Sequence, residues 1–159
     1  MTTRKLSLLA LFIAISVIGG FIKIPAIIGS VALDLFPALM AAVYLGRTSG
    51  ALVAGVGHLA SALIGGLPLG PIHMVVALSM ALIVYFFEII YARNRRLLAA
   101  IFVIVTNALV APLPMMFLFS MEFYLAIVPS LFIGSLINTI VALLLVPRFQ
   151  PIFKRIATN

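Results

Sequence analysis

The sequence predicts an all-α integral membrane protein of six transmembrane helices, and three observations lead there. Of its 159 residues, 65% are hydrophobic and 8% charged, with a mean hydropathy of +1.38. A soluble domain of this length cannot hide so much apolar surface. The apolar residues form runs separated by Gly/Pro turns or basic clusters, and at roughly 20 residues per span the chain holds about six. With six spans and both termini in the cytoplasm, only Lys23 of the ten Lys and Arg residues falls outside, as the positive-inside rule requires. Residues 1–159 then make a single membrane domain.

Taken in order, segment one runs from about Leu6 to Ile22 behind Arg4 and Lys5. Thr2 to Ser7 before a long apolar run resembles a signal peptide, but no Ala-x-Ala-like cleavage site follows, so the run reads as a retained span. A loop with Lys23, Pro25 and Gly29 leads to segment two, about Asp34 to Leu45, which is short for a span and reads as tilted or continued by the loop. Arg47-Thr48-Ser49-Gly50 reads as a tight turn into segment three, about Ala51 to Ile64. The Gly/Pro-rich stretch Gly65-Gly66-Leu67-Pro68-Leu69-Gly70-Pro71 turns the chain into segment four, about Ile72 to Tyr91. Segment five, about Leu97 to Phe119, contains Pro112 and Pro114 and should kink in its outer half. Segment six runs from about Tyr124 to Val146, before a tail carrying Arg148, Lys154 and Arg155. Tyr44, Tyr85 and Tyr91 fall near the inner interface as belt anchors.

Several functions are excluded early. The net charge of +7 comes from segment ends, where topology accounts for it, so nucleic acid is not implied. The chain has no cysteine, hence no disulfide or thiolate metal site. There is no phosphate-binding Gly-x-x-x-x-Gly-Lys loop, no Gly-x-Ser-x-Gly elbow and no His-x-x-x-His pair. The acids are Asp34, Glu88 and Glu122. Asp34 and Glu122 fall at the outer face. Glu88 lies at the inner end of segment four beside Arg93 and reads as half of a structural ion pair, so no paired-carboxylate chemistry is set up. No catalytic residues, metal or cofactor are expected.

What remains is polar side chains at membrane depth. His58 and Ser61, three residues apart on one helical face, must point into protein because the bilayer offers them no water. His73 lies in the first turn of segment four. Asn107 sits roughly 18 Å below the outer end of its segment, and Asn138 roughly 20 Å below that of segment six. Either asparagine alone serves interhelical hydrogen bonding as readily as a ligand. With Asp34, these groups place polarity on five of six helices, which suits an outward-open pocket better than unrelated helix contacts. Met74, Met115, Met116, Met121, Phe117, Phe119, Phe123 and Tyr124 lie around that outer half and suit a flat aromatic ligand, or ordinary packing. Lys23 is the sole cation within reach, so a neutral ligand fits better than an anionic one. The substrate-binding candidates are therefore Asp34, His58, Ser61, His73, Asn107, Met116, Glu122, Tyr124 and Asn138.

Segment one also carries Ala10 and Ala14, a small-xxx-small spacing that permits close helix approach, and Gly50, Ala54 and Gly57 repeat the theme in segment three. Six short spans, this Ala-x-x-x-Ala element and the Gly/Pro turn after segment three together resemble the substrate-binding S component of an energy-coupling factor (ECF) transporter, over essentially the whole chain. The run Gly57-His58-Leu59 to Gly66-Leu67-Pro68-Leu69-Gly70-Pro71-Ile72-His73 further resembles the subgroup regarded as α-ribazole transporters, which salvage a cobalamin precursor. The resemblance implies a multi-pass protein of the bacterial plasma membrane that is not an enzyme. It also implies vitamin capture from outside, and ATP-driven uptake with a coupling subunit docked at Ala10 and Ala14 and two ATPases. The short segment two and the absence of tryptophan depart from relatives that stack ligands on Trp. Two other classes stay open: a self-sufficient small transporter or channel, which would show flux alone, and an intramembrane enzyme, which would turn over a lipid.

Overall fold

A computed structural model describes residues 2–25 and 30–158. Six helical rods are joined by short connections, with one two-stranded ribbon. Helix α1 spans Thr3–Phe21, capped where the Thr2 side chain accepts from the Lys5 amide. Strands β1 (Lys23–Pro25) and β2 (Ser30–Ala32) pair antiparallel, with Ile24 opposite Val31. The described part of the first connection is thus a paired ribbon where the sequence suggested a plain loop. Gly29, expected in that loop, lies outside the described residues. The ribbon is moored to α1, since the Leu33 amide donates to Gly19 O at 2.9 Å.

Helix α2 (Leu35–Leu45) is 11 residues long, about 17 Å at 1.5 Å per residue and too short for a 30 Å hydrocarbon layer. Its shortness has a packing reason. Leu35 and the run Pro37–Ala42 are buried, so α2 is apolar all round and forms the centre of the bundle. Gly46, at φ +91°, turns the chain in a single residue that only glycine adopts freely. Helix α3 (Arg47–Ile64) follows at once. Arg47-Thr48-Ser49-Gly50 is therefore its first turn and not a separate loop: the Gly50 amide already donates to Gly46 O at 3.1 Å.

Helix α3 packs between α1, α2 and α4 (Ile72–Ala92). Small residues set the spacing. A Cβ at Gly57 would collide with the Ser16 hydroxyl of α1. The Gly/Pro turn after α3 is wound through Gly66, Leu67 and Gly70, all at positive φ. Segment five is composite: α5 (Arg96–Val105), a π-helical turn (Thr106–Val110) and α6 (Leu113–Leu118). Pro112 and Pro114 lack the amide protons that Ala108 O and Val110 O would accept, and the wider turn absorbs the misfit just before them. Its signature bond runs from the Ala111 amide to Thr106 O, 2.8 Å.

Helix α7 runs unbroken from Met121 to Thr158 through Pro129, Pro147 and Pro151. The tail expected after Val146 is helical because tertiary contacts hold it. The Tyr44 hydroxyl donates to Val146 O, and the Tyr44 ring stacks on Phe153 at 3.9 Å. Tyr44 is thus a packing residue more than a belt anchor. The rods α1, α4, residues 96–118 and residues 121–153 are long and apolar enough to cross a membrane. Helix α3 is long enough, but Gly50, Gly55, Gly57, His58 and Ser61 dilute its apolarity.

Candidate functional site

The start of α2 is the fixed point of the site. A helix N-terminus leaves backbone amides without partners, and the Asp34 side chain makes no cap bond there. Asn138 of α7 supplies the cap from another helix. Its Oδ1 accepts from the Leu35 amide at 3.1 Å and the Phe36 amide at 2.9 Å. Its Nδ2 donates to Ala32 O at 2.8 Å and to Gly134 O at 2.9 Å. Buried to 2% exposure, Asn138 has spent both donors and both acceptor positions. From the other side, the Ser16 hydroxyl donates to Asp34 O at 2.7 Å.

With its backbone clamped and its side chain excused from capping, Asp34 turns toward α3. Its Oδ2 lies 3.2 Å from His58 Nδ1. His58 Nε2 lies 3.1 Å from His73 Nδ1, and His73 Nε2 takes the Leu69 amide at 3.3 Å. Asp34, two histidines and a loop amide thus form one file across α2, α3, α4 and the Gly/Pro turn. These groups line up rather than surround a point, and among the described residues no three metal-ligating side chains gather to hold an ion.

The file forms one side of a cavity of about 260 Å³. Opposite stands the π-helical turn with Asn107, whose Nδ2 donates to Ser135 Oγ of α7 at 2.7 Å. Ser135 in turn donates to Leu131 O at 2.7 Å. Met80, Met115, Ile127 and Leu131 supply apolar wall, and Leu69 reaches in from the turn. The volume sits just below the range of roughly 300–1,000 Å³ typical of small-molecule sites.

Of the residues singled out in the sequence, Asp34, His58, His73, Asn107 and Asn138 line this cavity together. Ser61, Met116, Glu122 and Tyr124 are not among its lining residues. The Ser61 hydroxyl bonds its own helix at His58 O, and Tyr124 donates to Leu109 O. Glu122 is exposed at the start of α7. The aromatic residues expected around the ligand are also absent from the cavity's described lining, Phe117 being 80% exposed. Of the methionines named there, Met115 lines the cavity, because the π turn and Pro112 re-aim the helix. The side chain of Lys23 lies outside the described residues. Among the described residues Glu88 makes no ion pair with Arg93, which caps the end of α4 and stands five residues on, away from the same helical face.

Sequence reasoning missed Ser135 and Met80. Ser135 carried a signal: it precedes Asn138 by three residues, so the two share a face of α7. Ala10 and Ala14 lie on the exposed face of α1, opposite the buried Leu9, Phe12, Ser16 and Gly19.

A sequence model for the family described as "ECF transporter, substrate-specific component" matches residues 4–157. No curated protein matches the chain.

Proposed function

Because the chain belongs to the substrate-specific components of ECF transporters, multi-pass proteins of the bacterial plasma membrane that serve as transport subunits and not as enzymes, we propose that the cavity beside Asp34 and Asn107 is its capture site and that α-ribazole is its ligand. The observation that carries this reading is how few polar valences the cavity leaves open. Asn138 is saturated by the backbone around it, and both histidines are engaged along the file. Among the described residues, one carboxylate oxygen of Asp34 and part of the Asn107 amide remain for a guest. A neutral molecule with an apolar body and a few hydroxyl donors suits such a site.

α-Ribazole joins a flat dimethylbenzimidazole to a ribose. Met80, Met115 and Leu131 offer the ring soft apolar contact, while Asp34 and Asn107 offer the sugar hydroxyls an acceptor and an amide edge. The similarity of Gly57–His73 to the α-ribazole subgroup supports the same assignment. In this reading six helices sit in the bilayer with both termini cytoplasmic. A coupling subunit docks on the exposed Ala10–Ala14 face of α1, and two ATPases drive uptake of the vitamin precursor.

Titration calorimetry of the purified protein against α-ribazole, riboflavin, thiamin, pantothenate and biotin tests the ligand. Heat from α-ribazole alone is the expected result. Tight binding of another compound would replace the ligand and keep the capture function, whereas solute flux through the protein reconstituted by itself would replace the function.

A further inference from the structure

The file of Asp34, His58 and His73 has a direction. A backbone N–H only donates, so His73 Nε2, which takes the Leu69 amide, is an acceptor, and the proton of the neutral ring is on Nδ1. That proton points at His58 Nε2, which must accept, placing the His58 proton on Nδ1, where it meets Asp34 Oδ2. Starting from the other end gives the same answer, since a carboxylate only accepts. The opposite tautomers would set two donors face to face at Leu69 and two acceptors face to face at Asp34. An imidazolium at His73 would likewise oppose the Leu69 N–H.

Every ring nitrogen is therefore committed, and neither histidine has a proton or lone pair for a guest. The second polar wall is ordered in the same way. Ser135 has one hydroxyl proton, spent on Leu131 O, so its oxygen accepts from Asn107. This leaves Asn107 one N–H and its carbonyl oxygen. Asp34 keeps an oxygen that no described residue donates to.

On the reading that this cavity is the capture site, we infer that Asp34 is its specificity-determining acceptor, with His58 and His73 as positioning residues that aim the carboxylate and offer the ligand no hydrogen bond. The class of molecule follows. It presents an N–H or O–H donor, neutral or cationic, to Asp34 and a paired donor and acceptor to Asn107. Molecules offering a carboxylate or phosphate at that position meet a negative charge, with no cation among the described residues of the cavity wall, and are turned away.

The chain's two histidines make the ordering directly observable. With ¹⁵N-labelled histidine and no ligand, long-range ¹H–¹⁵N spectra near neutral pH should show both rings neutral and protonated at Nδ1. An Nε2–H tautomer or an imidazolium at either ring overturns the inference, whichever compound the protein binds. Asp34→Asn keeps an oxygen for His58 and turns the outward position into a donor. Its ring spectra should persist while affinity for the bound compound falls about 10- to 100-fold, the cost of withdrawing a charged acceptor. Unchanged affinity in Asp34→Asn refutes the selecting role and leaves the capture site in place. If none of the five compounds binds, the ligand assignment fails and the tautomer spectra alone decide the relay.

Discussion

Replacing Asn138 by alanine removes four side-chain hydrogen bonds at one stroke, and they do not count equally. Gly134 O keeps its partner within α7, as any helical carbonyl does. The Leu35 and Phe36 amides are different, because Asp34 does not cap them and the position is closed to water at 2% exposure. A buried donor left unpaired costs about 1–3 kcal/mol. In a membrane the unfolded reference also finds partners, and interhelical bonds there average nearer 0.6 with a ceiling of about 1.7 kcal/mol. Two stranded amides and the lost Ala32 tie therefore amount to about 2–4 kcal/mol. At roughly 2–4 °C per kcal/mol for a chain of this size, Tm falls by about 4–16 °C. Thermal unfolding in detergent, followed by fluorescence of a single engineered tryptophan, reads this out. Asn138→Asp retains an oxygen for both amides and adds a negative charge where a helix start favours one, so its loss should be about half as large or less. If Asn138→Ala keeps the wild-type Tm and only ligand affinity drops, the residue is a ligand contact and the capping argument is wrong.

Other perturbations separate the remaining roles. Asn107→Ala should weaken ligand binding by about 1–3 kcal/mol, one to two decades in Kd, while Glu88→Gln, remote from the cavity, leaves calorimetric affinity unchanged. Ala10→Leu with Ala14→Leu blocks close approach at the exposed face of α1; binding by the purified protein should survive and cellular uptake collapse, and normal uptake would remove this face from docking. Because the chain has no cysteine, topology can be read with single introduced thiols. Met121→Cys should react with an impermeant reagent from outside and Thr48→Cys only after permeabilisation; both sites are exposed, so the reverse pattern would invert the orientation.

How much of this was visible in the sequence depends on the range of the interactions concerned. Helix positions followed from apolar runs, and the polar side chains that meet at the cavity were found because a bilayer makes each of them conspicuous. What escaped depends on partners distant in sequence. Nothing near Asn138 announces that it will cap a helix a hundred residues earlier. Pro147 and Pro151 signal a helix end locally, yet α7 continues because Tyr44 and Phe153 stack across the bundle. The ribbon strands Lys23–Pro25 and Ser30–Ala32 are too short, and too interrupted by Pro25, for any alternation to show. The π turn at Thr106–Val110 shifts which face of segment five looks inward, so Met115 enters the cavity and Phe117 leaves it.

On the proposed reading, the geometry lets one short helix serve both stability and selection. Asp34 precedes α2, and its residue type is a common N-cap. Had its carboxylate capped α2, it would have been consumed by backbone amides and lost to the cavity. Asn138 takes over that duty from α7, and Ser16 of α1 holds the Asp34 carbonyl, so the carboxylate is positioned from both sides without being spent. Ser16 lies half a turn beyond Ala14, on the opposite, buried face of α1. The hydrogen bond from Ser16 to Asp34 is therefore a direct link between the proposed capture site and the helix whose outer surface is proposed to meet the coupling subunit. Any displacement of Asp34 would reach α1 through this one 2.7 Å contact.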